Sequence, residues 1–547
     1  MDCLIQTQQG NLDPDDPQVS FLLQASARIC KCLGADFQPY LPFVIPPLLQ
    51  SAQIDPELEV TDADEPADDD EDDGLESVTV NIRGQGHKRI TIRTSALEEK
   101  ATACNMLHTY AEELQEGFLP YVEQVASILI PLVKFQYMDD VRTAAMMAMP
   151  ELLNSCIGAH NKGLPSPKAG VTIPQLVGHL KDVMLETILE QLKSEPDIET
   201  LALLLEYFAE VVESGVDFEA ARFSPPQQAA TCQMMLMLFN ESNERRKARK
   251  LELQEEEADE EEAEEAEAEA EREEALISNL VECLGGLLRS LHSEFLPHFE
   301  QHLLAIFQQM ISPEWEILTD RTAALCVFDD IIEHCSDDGV GGSARYIPAL
   351  LPVIMGYAAD PSVDVRQAAV YGLGVLCEKA PSFLNADQLQ AITQALVRLI
   401  EDPHAFSEDN ASASDNAVSA LGKLCKLSAS GDGKLAAAAL PRWLATLPLS
   451  SDKTEALVVH RQLCDFVEAS NAALLGENHA KLPEILCIFG RVLDTDTCDD
   501  ELAKRISNLL KQVHAGLPHV LQQLPGHPAF AKLTDANKKS LERAISS

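Results

Sequence analysis

Residues 360–380, DPSVDVRQAAVYGLGVLCEKA, set the tightest limit on what this chain can fold into. Asp360-Pro361 makes a turn that can start a helix, because proline fits the first helical position. Val365, Ala368, Ala369, Leu373 and Leu376 then recur at spacings of three and four, which lays one apolar stripe along one face. Ala368, Ala369, Gly372 and Gly374 are small enough for another helix to come close. Residues 346–359, YIPALLPVIMGYAA, read as a second amphipathic helix entered through a proline. The pair predicts an antiparallel helical hairpin. One hairpin cannot bury its own stripe, so stacked copies are expected.

The copies are present. Residues 321–332 align with 366–377, residues 369–376 with 417–424, and residues 100–107 with 142–149, at offsets of 45, 48 and 42. Proline-entered first helices recur at Phe37-Gln-Pro, Phe118-Leu-Pro, Phe295-Leu-Pro, Tyr346-Ile-Pro and Leu440-Pro. A drifting period in the forties is the HEAT-repeat pattern. The predicted fold is therefore all-α, a HEAT-repeat superhelical solenoid of about a dozen hairpins.

Along the chain, residues 1–54 read as partial first hairpins whose start looks cut from the middle of a longer array. Residues 55–94 read as an acidic inserted loop and 95–240 as repeats. Residues 241–274 form a charged helical insertion, basic (RRKARK) and then rich in Glu and Ala. Repeats resume over 275–515, and 516–547 form a polar terminal cap. The run DADEPADDDEDD is either a solvated tract or an electrostatic lure for a basic partner. RRKARK is either a nuclear localisation signal or a patch neutralised by its acidic neighbour.

Charge narrows the function classes. Against 41 Lys and Arg stand 89 Asp and Glu, a net of −48. Direct binding to nucleic acid or to an anionic membrane needs basic surface, so neither is expected. Basic partners are favoured. Fourteen cysteines without framework spacing point to reduced thiols in cytosol or nucleus. His298-Phe-Glu-Gln-His302 departs from the zinc-protease order, and Walker, nucleophile-elbow and dinucleotide motifs are missing. No catalysis, metal or cofactor is expected, so function must come from surface.

The surface that stands out is the row of second helices. FDDIIEHC places Asp329 and Glu333 four apart with Asp330 beside them; later helices add Glu378, Asp465 and Glu468. Such carboxylates along a concave wall suit lysine and arginine of an extended peptide. Each is equally open to being an ordinary solvated group. Asn416, opening a second helix, suits either a cap or a grip on peptide backbone.

The strings LEEKATAC (97–104), FDDIIEHCS (328–336), VRQAAVYGLG (365–374), DNAVSALGK (415–423), LPRWLATLPL (440–449) and LCDFVE (463–468) resemble the karyopherin-beta nuclear import receptors. The closest type is importin-five, also called karyopherin-beta-three, and the likeness is to its C-terminal half. The resemblance implies a monomeric receptor that shuttles between cytoplasm and nucleus. It implies basic cargo such as ribosomal proteins and histones, passage along FG-repeat nucleoporins, and release to Ran GTPase, whose main contact lies in the missing N-terminal arch. The alternative is a HEAT scaffold that organises an enzyme complex without transport.

Overall fold

The computed structural model describes residues 4, 18–55, 59–62, 75–82, 86–255, 260–336, 342–429, 431 and 433–546. The reading of residues 1–17 and of the acidic run at 62–73 falls almost wholly outside these.

The chain divides into two units, residues 1–291 with 297–303, and residues 292–296 with 304–547. Each is a stack of antiparallel helical hairpins. In the first, the second helices Thr94–Leu114, Asp139–Asn161, Ile198–Glu213 and Glu260–Leu291 pack side by side in that order. In the second, Leu318–His334, Val363–Lys379, Ala411–Ala429, Lys453–Glu468 and Asp500–Gly516 do the same. The final helix, Asp535–Ser546, also packs into the stack, burying Leu541 and Ala544.

The proline entries have a common build. Pro39 and Pro120 sit in 3-10 turns that feed Leu41–Ala52 and Val122–Leu132. The aromatic before each proline is the anchor: Phe37, Phe118 and Phe295 are fully buried. Small residues bring helices together as the pattern requires. A Cβ on Gly374 would lie 3.1 Å from the backbone of Ala420 on the next second helix.

Successive repeats are tied at their turns. Arg366 donates to Asn410 Oδ1 at 2.6 Å in the turn of the following repeat. Arg142 reaches Glu195 in the same way, and Arg461 reaches Asp499. Asp415 accepts from the backbone N–H of Ser451 and Asp452 at 3.1 and 2.9 Å. In these hairpins one repeat supplies the polar partner that its neighbour's turn needs.

The insertion at 55–94 contains strands. β1 (Glu59–Asp62), β2 (Leu75–Ile82) and β3 (Gly86–Arg93) form an antiparallel sheet in the order β1-β3-β2, with Val78 opposite Ile90. The β-branched runs SVTV and RITI favour extended backbone, a signal that the reading as a loop passed over. In the charged insertion, Pro225–Glu255 runs far past its apolar part. Arg245 pairs with Glu273 at 2.6 Å and Arg249 with Glu269 at 2.5 Å, so the RRKARK segment lies against the Glu/Ala helix.

Candidate binding surface

The second-helix row of the second unit carries every residue that the sequence nominated, and it treats them in three different ways.

The first group is buried. Asp329 is 1% exposed, and neither carboxylate oxygen has a hydrogen-bond partner. It lies under Gly372 of the next helix, where a Cβ would come within 2.2 Å of Oδ1. Burial first, then the charges of Asp330 and Glu333, push its carboxyl well above the usual range, with Lys423 opposing. The expectation that Asp329 lines an open wall therefore does not hold. Asn416 is also buried, donating to Ser412 O and to Asp452 Oδ2, both at 3.0 Å. It ties two repeats together and does not present its amide to a peptide.

A second group is tied to the neighbouring helix. Glu333 accepts from the Tyr371 hydroxyl at 2.8 Å. Glu378 lies 3.4 Å from Lys423. Asp465 accepts from Lys426 at 2.7 Å and Arg505 at 2.6 Å, and Arg505 also donates to Glu468 at 2.8 Å. Burial works to raise Asp465, but the bonds from Lys426 and Arg505 outweigh it and hold the carboxyl below its ordinary range. The Arg505 bond does the same for Glu468. From Glu378 onward the ladder is an alternation of acids and bases.

Asp330 stands apart, partly exposed, with His334 Nε2 at 3.9 Å.

A second acidic row, which the sequence reading missed, lies in the first unit. Glu112, Glu151 and Glu210 sit on three consecutive second helices, with Glu206 one turn from Glu210. Glu151 is pushed up by burial first and then by Glu112, against an Asn154 hydrogen bond. Glu210 is pushed up by burial and then by Glu151, Glu206 and Glu213. These carboxylates repel across helices. The signal was available: YAEEL, MPELL and EYFAE each place a glutamate where FDDIIEH places its acids.

Between Val363–Lys379, Ala411–Ala429 and Lys453–Glu468 lies a cleft of about 370 Å³, lined by Cys377, Glu378, Lys423, Lys426, Arg461 and Gln462 among others. Its walls mix charges with apolar surface. The cysteines flanking it and elsewhere are all free thiols among the described residues.

Residues 203–313 match the Importin repeat 6 family and residues 350–380 the HEAT repeat family. Importin subunit beta-3 of Saccharomyces cerevisiae is 26% identical over 478 residues, covering 87% of this chain and 41% of the relative. This chain is similar to the importin-beta receptors of the importin-5 kind. A probable importin-5 homolog of Dictyostelium discoideum is 25% identical over 488 residues, covering 87% of the importin-like chain and 42% of its own length. A crystal structure of a Kap121p mutant superposes with a TM-score of 0.77 at 24% identity, covering 99% of this chain and 46% of that one. Kap121p bound to RanGTP gives 0.75 at 22%, with the same coverage. The chain thus spans less than half the length of the relatives it matches, and shares the HEAT solenoid fold with them.

Proposed function

We propose that this importin-like chain is part of a nuclear transport receptor that holds basic client proteins, ribosomal proteins and histones among them, without catalysing a reaction. The observation that carries the reading is the acidic row Glu112–Glu151–Glu210 across second helices of one unit, with the acids Asp330 and Glu333 on a second helix of the other, within a chain of net charge −48. Such surfaces attract lysine- and arginine-rich segments and repel nucleic acid. Kap121p has been crystallised with RanGTP, and also with Ste12p and with Pho4p. By analogy the full receptor containing this chain releases its cargo to GTP-bound Ran, passes FG-repeat nucleoporins and moves between cytoplasm and nucleus.

The test is capture of basic proteins on the immobilised 547-residue chain. Histones and ribosomal proteins are retained at low salt and elute as ionic strength rises, because exposed charge pairs are screened. Failure to retain them at low salt removes the reading.

A further inference from the structure

Four consecutive second helices of the second unit bring one group of side chains together. Asp329 and Glu333 come from Leu318–His334, Tyr371 from Val363–Lys379, Lys423 from Ala411–Ala429 and Glu455 from Lys453–Glu468. Asp329 and Glu455 are 1% and 6% exposed, and both oxygens of Asp329 and Oε2 of Glu455 have no hydrogen-bond partner. The Ser419 hydroxyl is close enough to Glu455 to act on its carboxyl, yet its geometry makes no well-formed hydrogen bond. Glu333 is partnered by the Tyr371 hydroxyl. The cation that reaches these acids is Lys423. Its Nζ stands 5.3 Å from the centre of the Tyr371 ring and 3.4 Å from Glu378, on the side of the open cleft.

Asp329 and Glu455 thus share the charge of one lysine, and that lysine pairs with a third acid, Glu378. Buried acceptors left without donors are costly, about 1–3 kcal/mol each by mutational experience, and a protein that keeps them has a use for them. Glu378, Asp465 and Glu468 each have a lysine or arginine from an adjoining repeat. The aromatic ring beside the acids adds a face that attracts an ammonium or guanidinium group.

We infer that Asp329, Glu333, Tyr371 and Glu455 form a receptor pocket for a single lysine or arginine side chain of a client protein, with Lys423 as the resident cation that the client displaces. The cleft beside Glu378 is the approach. Lys423 moves onto Glu378 and keeps an ion pair, while the arriving side chain donates to the oxygens that lack a partner. This deepens the basic-client reading above and rests on it.

The experiment is fluorescence anisotropy at low salt with the full chain and a fluorescein-labelled peptide of alternating glycine and lysine. A matched peptide with norleucine for lysine serves as the blank. Lys423→Met removes the resident charge and tightens binding roughly tenfold, a gain that a merely structural lysine would not produce. Asp329→Asn with Glu455→Gln, which keep side-chain shape, weaken binding to a similar degree and abolish the gain from Lys423→Met. Glu468→Gln, in the paired part of the row, leaves affinity within about twofold. Wild-type binding that the double amide variant leaves unchanged overturns the pocket while the basic-client reading stands. A wild-type chain that does not distinguish the two peptides overturns both. Should Lys423→Met melt early, the double amide variant decides alone.

Discussion

Gly372 sits directly over Asp329: a Cβ built there would lie 2.2 Å from the aspartate Oδ1, so the carboxylate would have to move. Gly374, two residues on, would place its Cβ 3.1 Å from Ala420, a contact that a small shift relieves. Alanine favours helix over glycine by about 1 kcal/mol, so the two substitutions start level. Gly372→Ala is expected to destabilise the second unit by about 1–3 kcal/mol through overpacking, while Gly374→Ala stays near neutral. Urea unfolding of the two variants checks this, and equal midpoints would refute it.

Asp329 gives the chain an alkaline weakness. Its folded carboxyl is raised by burial and by Asp330 and Glu333, with Lys423 opposing. A raised acid contributes fully below the ordinary carboxylate range and loses that contribution as pH climbs toward the folded value. Asparagine does not titrate there. Asp329→Asn is therefore expected to gain stability over wild type between pH 5 and pH 8, with the gain growing as pH rises. Thermal melts across that range would show a constant difference if the aspartate were ordinary.

His460 acts in the opposite direction. It is 1% exposed, with Nδ1 3.2 Å from Thr497 O and Nε2 unpartnered. Burial lowers its pKa to about 4, against the help of the Thr497 bond. An unfolded histidine titrates near 6.5, so the native state loses stability as pH falls from there toward 4, by on the order of 3 kcal/mol in all. His460→Gln is expected to flatten that part of the pH–stability curve. A curve of unchanged slope would count against the assignment.

Arg505 bridges Asp465 and Glu468 in a half-open setting. Arg505→Gln should cost only about 0.5–1 kcal/mol at low salt and less at high salt, as exposed pairs do. It also frees Glu468 and leaves Asp465 with Lys426 alone, so the lysine peptide should bind the variant more tightly. Tighter binding with a near-normal melting temperature would establish that these acids are held by the protein's own cation.

The stripe Val365, Ala369, Leu373 and Leu376 was legible because core packing repeats within one helix, and all four are buried. The proline entries were legible for the same local reason. The fate of the carboxylates was not. Whether Asp465 meets a client or Arg505 depends on a residue 40 positions away, brought near only by stacking. Asp329 looked like Asp330 in the string FDDIIEH; the rotation of the helix points Asp329 into the interface, where Gly372 of the next helix leaves it room. The glutamates at 112, 151 and 210 were visible singly but not as a line, since the loops between repeats vary in length.

The turn-to-turn ties, Arg142 to Glu195, Arg366 to Asn410 and Arg461 to Asp499, have a consequence for how the molecule comes apart. Each of these three ties joins one hairpin to the next. Damage therefore spreads outward from the injured repeat with diminishing force, so amide exchange should quicken over the adjoining hairpins and fade within a few of them. A stack of this kind yields by peeling, and a local lesion in it leaves distant hairpins of the same unit intact.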